Sequence, residues 1–200
     1  MSRPSENSAT TACSHPPSVP GEYSREERII LLKLAHSSIE SAFERQHIPL
    51  DPPTPHLAEK RGAFTTLYRQ GELRGCVGYV FPVASLYQTI AETARAAAFE
   101  DTRFPPLGAN ELAGLEIHLS VLSPLQPIHA DDVEIGRHGL LVSLNARRGL
   151  LLPQVPVEHG WDRETFLAQT CRKAGLPPDA WQSGAALEAF TAELFGDRDV

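Results

Sequence analysis

The sequence predicts an α+β protein with antiparallel strand pairing, on three observations. Residues 63–80 read AFTTLYRQGELRGCVGYV, two β-prone runs around a glycine-containing turn, which is typical of a β-hairpin. Residues 115–123 alternate apolar and polar side chains, as a half-buried strand does. Segments with helical periodicity precede and separate these strands, so helices and strands are mixed along the chain.

Two helices are predicted in the N-terminal half. The first runs from about Ser24 to Gln46, because Ser24 and Glu27 match a capping box and an apolar stripe follows at helical spacing. The second runs from Ala84 to Phe99. Its predicted buried side is rich in alanine, which allows a helix to pack closely on a sheet.

The C-terminal half is predicted to add a second hairpin and a third helix. Strands begin at Gly139 and Gly149 with a turn over residues 146–149, and a helix follows from Asp162 to Ala174. The segment ALEAFTAELF, residues 186–195, has the propensity of a helix and the alternation of a strand. These residues alone leave that choice open.

Composition narrows the class of protein. The chain has 200 residues, 42% of them hydrophobic and 22% charged, which suits one medium domain or two small ones sharing a core. A formal net charge of -7 without a basic cluster argues against nucleic-acid binding. No apolar run is long enough to span a membrane, and no secretory signal is recognised. Three scattered cysteines do not form a disulfide framework, so a cytoplasmic location is expected.

Residues 1–22 are rich in serine, threonine and proline and carry few large apolar side chains. This composition predicts a disordered N-terminal tail, because burial there cannot offset the entropy of ordering. The folded domain is therefore expected over residues 23–200.

Cys76 in the segment LRGCVG is the first candidate functional residue. Glycines in a strand allow a ligand or another backbone to come close. Arg74 would lie on the same face in a regular strand, where its guanidinium would favour the thiolate. One interpretation is a nucleophile or soft-metal ligand in a cleft; the other is a small apolar residue packed under a helix.

Other candidates lie in three further segments. Asp101 and Arg103, beside a proline-stiffened loop, either orient a substrate or pair with each other, and the pairing is favoured. The segment GRHG holds Arg137 and His138; this histidine is either an acid/base group or metal ligand, or an ordinary turn residue. His159 is expected to cap a helix or line a cleft.

No sequence motif assigns a cofactor. Paired cysteines, HExxH, GxGxxG, Walker and GxSxG motifs are all missing from the sequence. A metal site built from Cys76, His138 and His159 would have to be assembled by folding, and no metal site is predicted.

Six segments together resemble one family. They are GELRGCVGYVFP, ETARAAAFEDTRFPPL, LEIHLSVLSPLQPI, IGRHGLLV, GLLLPQVPVEHGWDRETFLAQTCRKAGLPPDAW and FTAELF. In this order they resemble the AMMECR family, known in prokaryotes as AmmeMemoRadiSam system protein A, from about Ser24 to Phe195. The resemblance implies two intimately packed subdomains, mostly antiparallel sheets with helices on them and a cleft between. It also implies that FTAELF is a strand, and the smaller subdomain is expected within about 63–112.

The resemblance carries part of the candidate site onto matching positions. The family's hallmark segment covers Arg74, Gly75, Cys76 and Gly78, and two further motifs cover Arg103, Arg137 and His138. The full prediction has Cys76, Arg74, His138 and Asp101 as catalytic candidates, with Gly75, Gly78, Arg103, Arg137 and His159 in substrate binding. Thr102 departs from the family's usual proline, which leaves the placement of Asp101 less fixed. Val77 replaces the family's isoleucine, and this change is expected to have little effect.

The family name implies two partners, a Memo-like protein and a radical S-adenosylmethionine enzyme. This chain lacks the three-cysteine cluster that would hold the iron–sulfur centre. Two hypotheses follow. In the first, the chain is a catalytic or substrate-handling subunit with Cys76 as nucleophile or transient ligand, Arg74 assisting, and His138 or Asp101 moving protons. In the second, it is a non-catalytic adaptor that docks both partners through the hairpin and the RFPPL loop.

Overall fold

Two antiparallel sheets form the frame of the protein in a computed structural model that describes residues 21–200. The strand orders are β2-β1-β3-β8 in the first sheet and β4-β7-β5-β6 in the second. The elements are α1 (Arg25–Glu44), β1 (Ala63–Arg69), β2 (Glu72–Tyr79), α2 (Leu86–Phe99), β3 (Leu115–Leu122), β4 (Gln126–Pro127), β5 (Gly139–Leu144), β6 (Arg147–Leu151), α3 (Gln154–Glu158), α4 (Arg163–Lys173), β7 (Ala186–Phe190) and β8 (Ala192–Gly196). The predicted α+β class is confirmed.

The tail predicted for residues 1–22 lies outside the described residues except at its end. There, the Glu22 carboxylate forms ion pairs with Arg61 and His56, so this end of the predicted tail is in contact with the folded domain. In the described part of the chain, no helix has the length and apolar character needed to cross a bilayer.

Helix α1 begins where its cap predicts. The Ser24 hydroxyl accepts a hydrogen bond from the Glu27 N–H, and the Glu27 carboxylate accepts one from the Ser24 N–H. This capping box satisfies two backbone donors at the helix start. The helix ends at Glu44, where Arg45 takes the left-handed conformation with φ 54°.

Helices α1 and α2 cover one face of the first sheet. The side chains of β1 alternate, with Ala63, Thr65 and Leu67 buried toward the helices. The Thr65 hydroxyl is 2.8 Å from that of Thr93 on α2, so this contact pairs buried polar groups across the interface. Gly75 on β2 allows the close approach, because a Cβ there would lie 2.1 Å from the Ala97 carbonyl oxygen.

The β1–β2 hairpin contains a bulge that the sequence does not reveal. Leu67 lies opposite Gly75 and Tyr68 lies opposite Leu73, which leaves Arg74 without a partner on β1. A bulge changes the alternation of side chains along a strand. The expectation of a regular strand, with residues 74 and 76 on one face, therefore does not apply here.

The ambiguous segment 186–195 forms two strands in different sheets. β7 pairs with β4 and β5, β8 pairs with β3, and Thr191 between them is the crossover. Ser123, directly after β3, binds this crossover through two hydrogen bonds. Its N–H donates to the Thr191 carbonyl at 2.9 Å, and its hydroxyl accepts from the Thr191 N–H at 2.9 Å. Pairing with strands of two sheets outweighs the local helix propensity of this segment. The strand expected for FTAELF corresponds to β8 and the last residue of β7.

The second sheet has its own apolar core. Helix α4, capped by Asp162, buries Phe166 and Leu167 against Leu140, and both tryptophans pack at this cluster. Residues 63–112, the range predicted for the smaller subdomain, supply β1, β2 and α2 around the first sheet, where β1 pairs with both β2 and β3. The second sheet takes its strands from residues 126–190. Its hairpin turns earlier than predicted, at Asn145, with φ 55°.

Candidate functional site

Cys76 lies on β2, the edge strand of the first sheet, and its side chain is on the face opposite the helices. The thiol is partly exposed. Thr66 is its neighbour on β1, and the Thr66 hydroxyl donates a hydrogen bond to the sulfur at 3.3 Å. Without the bulge, the turn would have placed Thr65 opposite Cys76. Thr66 was therefore not a predicted site residue, and the sequence offers no signal for it.

Two side chains after α2 bind the outer edge of Cys76. The Cys76 N–H donates to the Asp101 carboxylate at 2.9 Å, and the Cys76 carbonyl accepts from the Arg103 guanidinium at 3.3 Å. Both backbone groups therefore point away from β1, at a strand edge that would otherwise be open. We call Asp101 and Arg103 the edge clamp. An unpaired strand edge recruits other chains, and the clamp covers this edge at Cys76.

The edge clamp is held together by charge. Arg103 donates to both carboxylate oxygens of Asp101, at 2.7 and 3.0 Å, and the Asp101 side chain is only 7% exposed. The hydrogen bonds from Arg103 and from the Cys76 N–H hold the pKa of Asp101 well below its usual range, although burial opposes them. A carboxylate that stays ionised is a poor match for the proton-transfer role considered for Asp101. Of the two interpretations of Asp101 and Arg103, the structure shows the one in which they pair with each other.

Arg74 is bound by an acidic residue that the sequence did not single out. Its Nε and Nη2 donate to the two carboxylate oxygens of Glu111 at 2.9 and 3.0 Å, a bidentate pair. The hydrogen bonds from Arg74 and from the Gly108 N–H lower the pKa of Glu111 to about 2. The guanidinium thus ties β2 to the turn at residues 109–111. The position of Glu111, eight residues after Arg103, gives no sequence signal for this contact.

The two glycines near Cys76 lie on opposite faces of the sheet. The space at Gly75 is taken by α2, as described above. Gly78 is on the same face as Cys76 and lies beneath the Phe64 ring, since a Cβ there would be 2.2 Å from ring carbons. The lack of a side chain therefore allows α2 to pack on Gly75 and the Phe64 ring to pack on Gly78.

The face of the first sheet that carries Cys76 has no helix on it in residues 21–200. Its side chains are partly exposed, and Leu194 is 73% exposed. The Tyr68 and His118 rings meet edge to face at 5.0 Å on its middle strands. We call this surface the open face; it comprises Phe64, Thr66, Tyr68, Cys76, Gly78, Glu116, His118, Ser120 and Leu194. Glu116 on this face forms ion pairs with His118 at 2.9 Å and with Arg198 at 2.6 Å.

The remaining predicted residues lie in the second sheet and its connections. His138 precedes β5, and its Nδ1 accepts the Glu134 N–H at 3.1 Å. Burial, together with nearby Arg137, lowers the pKa of His138. Arg137 pairs with Glu134 at 2.9 Å, both side chains more than half exposed, so this pair adds little stability. His159 ends α3 and stacks on the Trp161 ring at 4.7 Å.

The predicted site is thus divided between the two sheets. Within residues 21–200, no hydrogen bond or ion pair joins Cys76 to His138 or His159. β2 and β8 are the opposite edges of the first sheet. The crossover from the second sheet, at Thr191, leads directly into β8, so it lies at the edge away from Cys76. Arg74, Gly75, Cys76, Gly78, Asp101 and Arg103 form one group, and Arg137, His138 and His159 lie in the other sheet.

One group in the described residues has the geometry to share a metal ion. Glu22, His56 and Glu59 each place a ligand atom within 4.8 Å of the others. Arg61, which is 7% exposed, already donates to both of these carboxylates. Its guanidinium supplies the positive charge that a cation would bring.

The AMMECR1 family model matches residues 32–195 of this chain. The chain belongs to the AMMECR1 family. The resemblance found in the six segments is therefore confirmed.

Archaeal relatives cover nearly the whole domain. Protein MK0488 of Methanopyrus kandleri is 44% identical over 186 residues, 87% of this chain and 90% of the relative. Protein MJ0810 of Methanocaldococcus jannaschii is 39% identical over 180 residues, 85% of this chain and 90% of the relative. The crystal structure of uncharacterized protein PH0010 from Pyrococcus horikoshii superposes with a TM-score of 0.69 at 40% identity, covering 85% of this chain and 91% of that one. These likenesses establish family and fold.

Proposed function

We propose that this AMMECR1-family chain is a binding subunit that docks a partner protein on the open face of its first sheet. The observation that carries the proposal is the asymmetry of that sheet. Two helices bury one face, whereas the open face presents aromatic, aliphatic and thiol groups together with the Glu116–His118 ion pair, without a covering helix in residues 21–200. A surface that combines partly exposed aromatic side chains with a few polar ones is typical of protein interfaces.

The contacts around Cys76 favour binding over catalysis. Asp101 and Arg74, two of the groups proposed to assist the thiol, are each held in a bidentate ion pair. His138, the proposed proton carrier, lies in the other sheet. What remains at Cys76 is a rigid strand, fixed by the edge clamp, that presents a small polarizable side chain to a partner.

The family resemblance supplies the candidate partners. A Memo-like protein and a radical S-adenosylmethionine enzyme are the proposed partners, in a cytoplasmic three-part system in which this chain is component A. The iron–sulfur centre then belongs to the radical enzyme.

A charge placed on the open face tests this proposal. Ser120→Arg puts a cation in the middle of the face and Leu194→Asp puts an anion at its edge; both side chains retain solvent exposure. Calorimetric titration with each purified partner is expected to show affinity at least about tenfold weaker, the usual effect of disrupting an interface centre. Val157→Asp is the matched control, because Val157 is an exposed apolar residue on α3, at 58%.

Two results would contradict docking on the open face. One is a partner that binds all three variants as tightly as the natural chain. The other is an affinity that falls for Val157→Asp and not for the two open-face variants.

A catalytic thiol is the second candidate, favoured by the partial exposure of Cys76 and its hydrogen bond from Thr66. Alkylation by iodoacetamide, mapped by mass spectrometry, distinguishes it from binding. The binding proposal expects Cys76 to react in the folded protein no faster than glutathione, with buried Cys171 as the unreactive internal reference. A rate about tenfold above glutathione would instead indicate an activated nucleophile.

A further inference from the structure

Hydrogen bonds at the two ends of β8 define which of its backbone groups face away from the first sheet. At one end the Asp197 N–H donates to the Ile117 carbonyl at 3.2 Å, and at the other the Ser123 N–H donates to the Thr191 carbonyl at 2.9 Å. Along an antiparallel strand, the backbone groups point toward the partner strand at every second residue. Three residues of β8 therefore turn their N–H and C=O groups away from β3: Ala192, Leu194 and Gly196.

One of these three residues is capped by the chain itself. The Gly196 N–H donates to the Asp199 carboxylate at 2.7 Å, and the Gly196 carbonyl accepts the Asp199 N–H at 2.9 Å. The edge clamp treats Cys76 on the opposite edge in the same way, with a carboxylate for its N–H and a donor for its carbonyl. Ala192 and Leu194 have no such cap, because their outward groups make no hydrogen bond within residues 21–200.

The edge at Leu194 is also not protected by its side chains. Natural strand edges are commonly blunted by lysine, proline or a bulge. Residues 192–196 contain neither lysine nor proline, and their register with β3 is unbroken. The charge of Glu193 is paired with Arg28, and its carboxylate also accepts the Glu22 N–H. Leu194 itself places an apolar side chain, 73% exposed, on the open face.

The open backbone groups specify the form of segment that can cover them. A donor and an acceptor at Leu194 recur at Ala192, about 7 Å along the strand, which is the spacing of the groups on another extended backbone. A helix cannot supply this pattern, since its own backbone groups are bonded internally. A residue placed opposite Leu194 lies on the open face, where an apolar side chain contacts the exposed leucine.

We propose that the partner docked on the open face adds an extended strand to the β8 edge, bonding to the backbone of Leu194 and Ala192. The partner strand places an apolar side chain against Leu194 and has residues other than proline at its bonding positions. The four-stranded first sheet thereby gains a fifth strand. This inference rests on the proposed docking function and names the kind of segment that the partner contributes.

Amide hydrogen exchange measured by nuclear magnetic resonance tests the pairing on the full natural chain, alone and with each of the two purified proposed partners. The Leu194 amide is expected to exchange freely in the unbound chain and at least about tenfold more slowly in at least one complex. The Phe195 amide, which faces β3, is the internal reference and is expected to be protected in both states.

A pair of variants tests the same hydrogen bond by affinity. Leu194→Pro removes the outward N–H, which is not part of the ladder with β3, so the internal bonds of the sheet are retained. Leu194→Val keeps the donor and an apolar side chain suited to a strand, and it is the matched control. Calorimetric titration is expected to show at least about tenfold weaker binding for Leu194→Pro than for Leu194→Val. Circular dichroism checks that both variants are folded.

Strand addition is overturned if Leu194→Pro and Leu194→Val bind equally while Ser120→Arg binds weakly, and docking on the open face then stands without it. If Ser120→Arg also binds like the natural chain, docking falls together with it. A Leu194 amide that stays unprotected in both complexes overturns strand addition as well. So does protection already present in the unbound chain: contacts of this amide with residues 1–20 would assign the edge to the N-terminal segment, and a dependence on protein concentration would assign it to a second copy.

Discussion

The two sheets use their motif residues in different ways. In the first sheet, the charged residues around Cys76 bind one another and the strand edge, so the polar groups of that motif are satisfied internally. Before β5 of the second sheet, His138 is bonded only through Nδ1, and its Nε2 has no protein partner in residues 21–200. The charged residues of a prominent motif can therefore serve to hold a strand in place rather than to carry out chemistry.

The largest expected effect separates the two cores. Gly75→Ala in the first sheet and Gly149→Ala in the second each force a Cβ against helix backbone, at 2.1 Å from the Ala97 oxygen and 2.2 Å from the Ala174 nitrogen. Each is expected to lower the free energy of unfolding by about 3 kcal/mol. Both tryptophans, Trp161 and Trp181, pack in the second core, so their fluorescence reports on that sheet.

Urea unfolding followed by fluorescence and by far-ultraviolet circular dichroism checks this expectation. Gly149→Ala is expected to shift the fluorescence midpoint more than Gly75→Ala does. Equal shifts in both signals for both variants would show that the sheets unfold as one unit, against the separate cores seen here.

A smaller effect is expected at the edge clamp. Asp101→Asn keeps an acceptor for the Cys76 N–H but removes the charge that binds Arg103, and we expect a loss of about 2 kcal/mol from the free energy of unfolding. Because the pKa of Asp101 is lower in the folded chain, its stabilisation is full above pH about 4 and is lost as the pH falls below that value. The variant is expected to show a shallower loss in acid.

Chemical unfolding between pH about 7 and pH about 2.5 measures that slope. Asp131→Asn is the control, because the Asp131 side chain is 97% exposed. If the stability of Asp101→Asn falls with pH in parallel to that of the natural chain, the edge clamp does not contribute to the pH dependence of stability in acid.

Local sequence signals predicted most elements of the fold. The Ser24 capping box, the Asp162 cap and the alternation over residues 115–123 each correspond to an observed element. These signals depend on neighbours in sequence. The two strands within residues 186–195 depend instead on partners in two sheets, so propensity could not separate them.

The arrangement of the site was less accessible to the sequence. Asp101 and Arg103 were recognised as an ion pair that fixes a loop, but their bonds to the backbone of Cys76 require the path of the chain after α2. The bulge at Arg74 changes which residue faces the thiol, and nothing in the local sequence marks it. Such features arise from tertiary contacts between segments far apart in the chain.

The smallest expected effect contrasts one histidine from each sheet. His36 on α1 bonds to Asp197 beyond β8, and this hydrogen bond raises the pKa of His36, whereas burial and Arg137 lower the pKa of His138. The contribution of His36 is therefore full below pH about 6.5 and is lost as the pH rises above it. For His138 the sign is opposite: its favourable contribution is present above pH about 6.5 and is lost as the pH falls.

Replacing each histidine should remove its own slope from the pH dependence of unfolding. His36→Gln is expected to flatten the decline between pH about 6.5 and 8, and His138→Asn the decline between pH about 6.5 and 5, each by about 0.5 kcal/mol because both rings are partly exposed. His159→Asn serves as the reference for a histidine replacement outside both contacts. If both variants flatten the pH dependence of unfolding on the same side of pH about 6.5, the two histidines do not contribute to stability with opposite signs, and the proposed contrast between their environments is wrong.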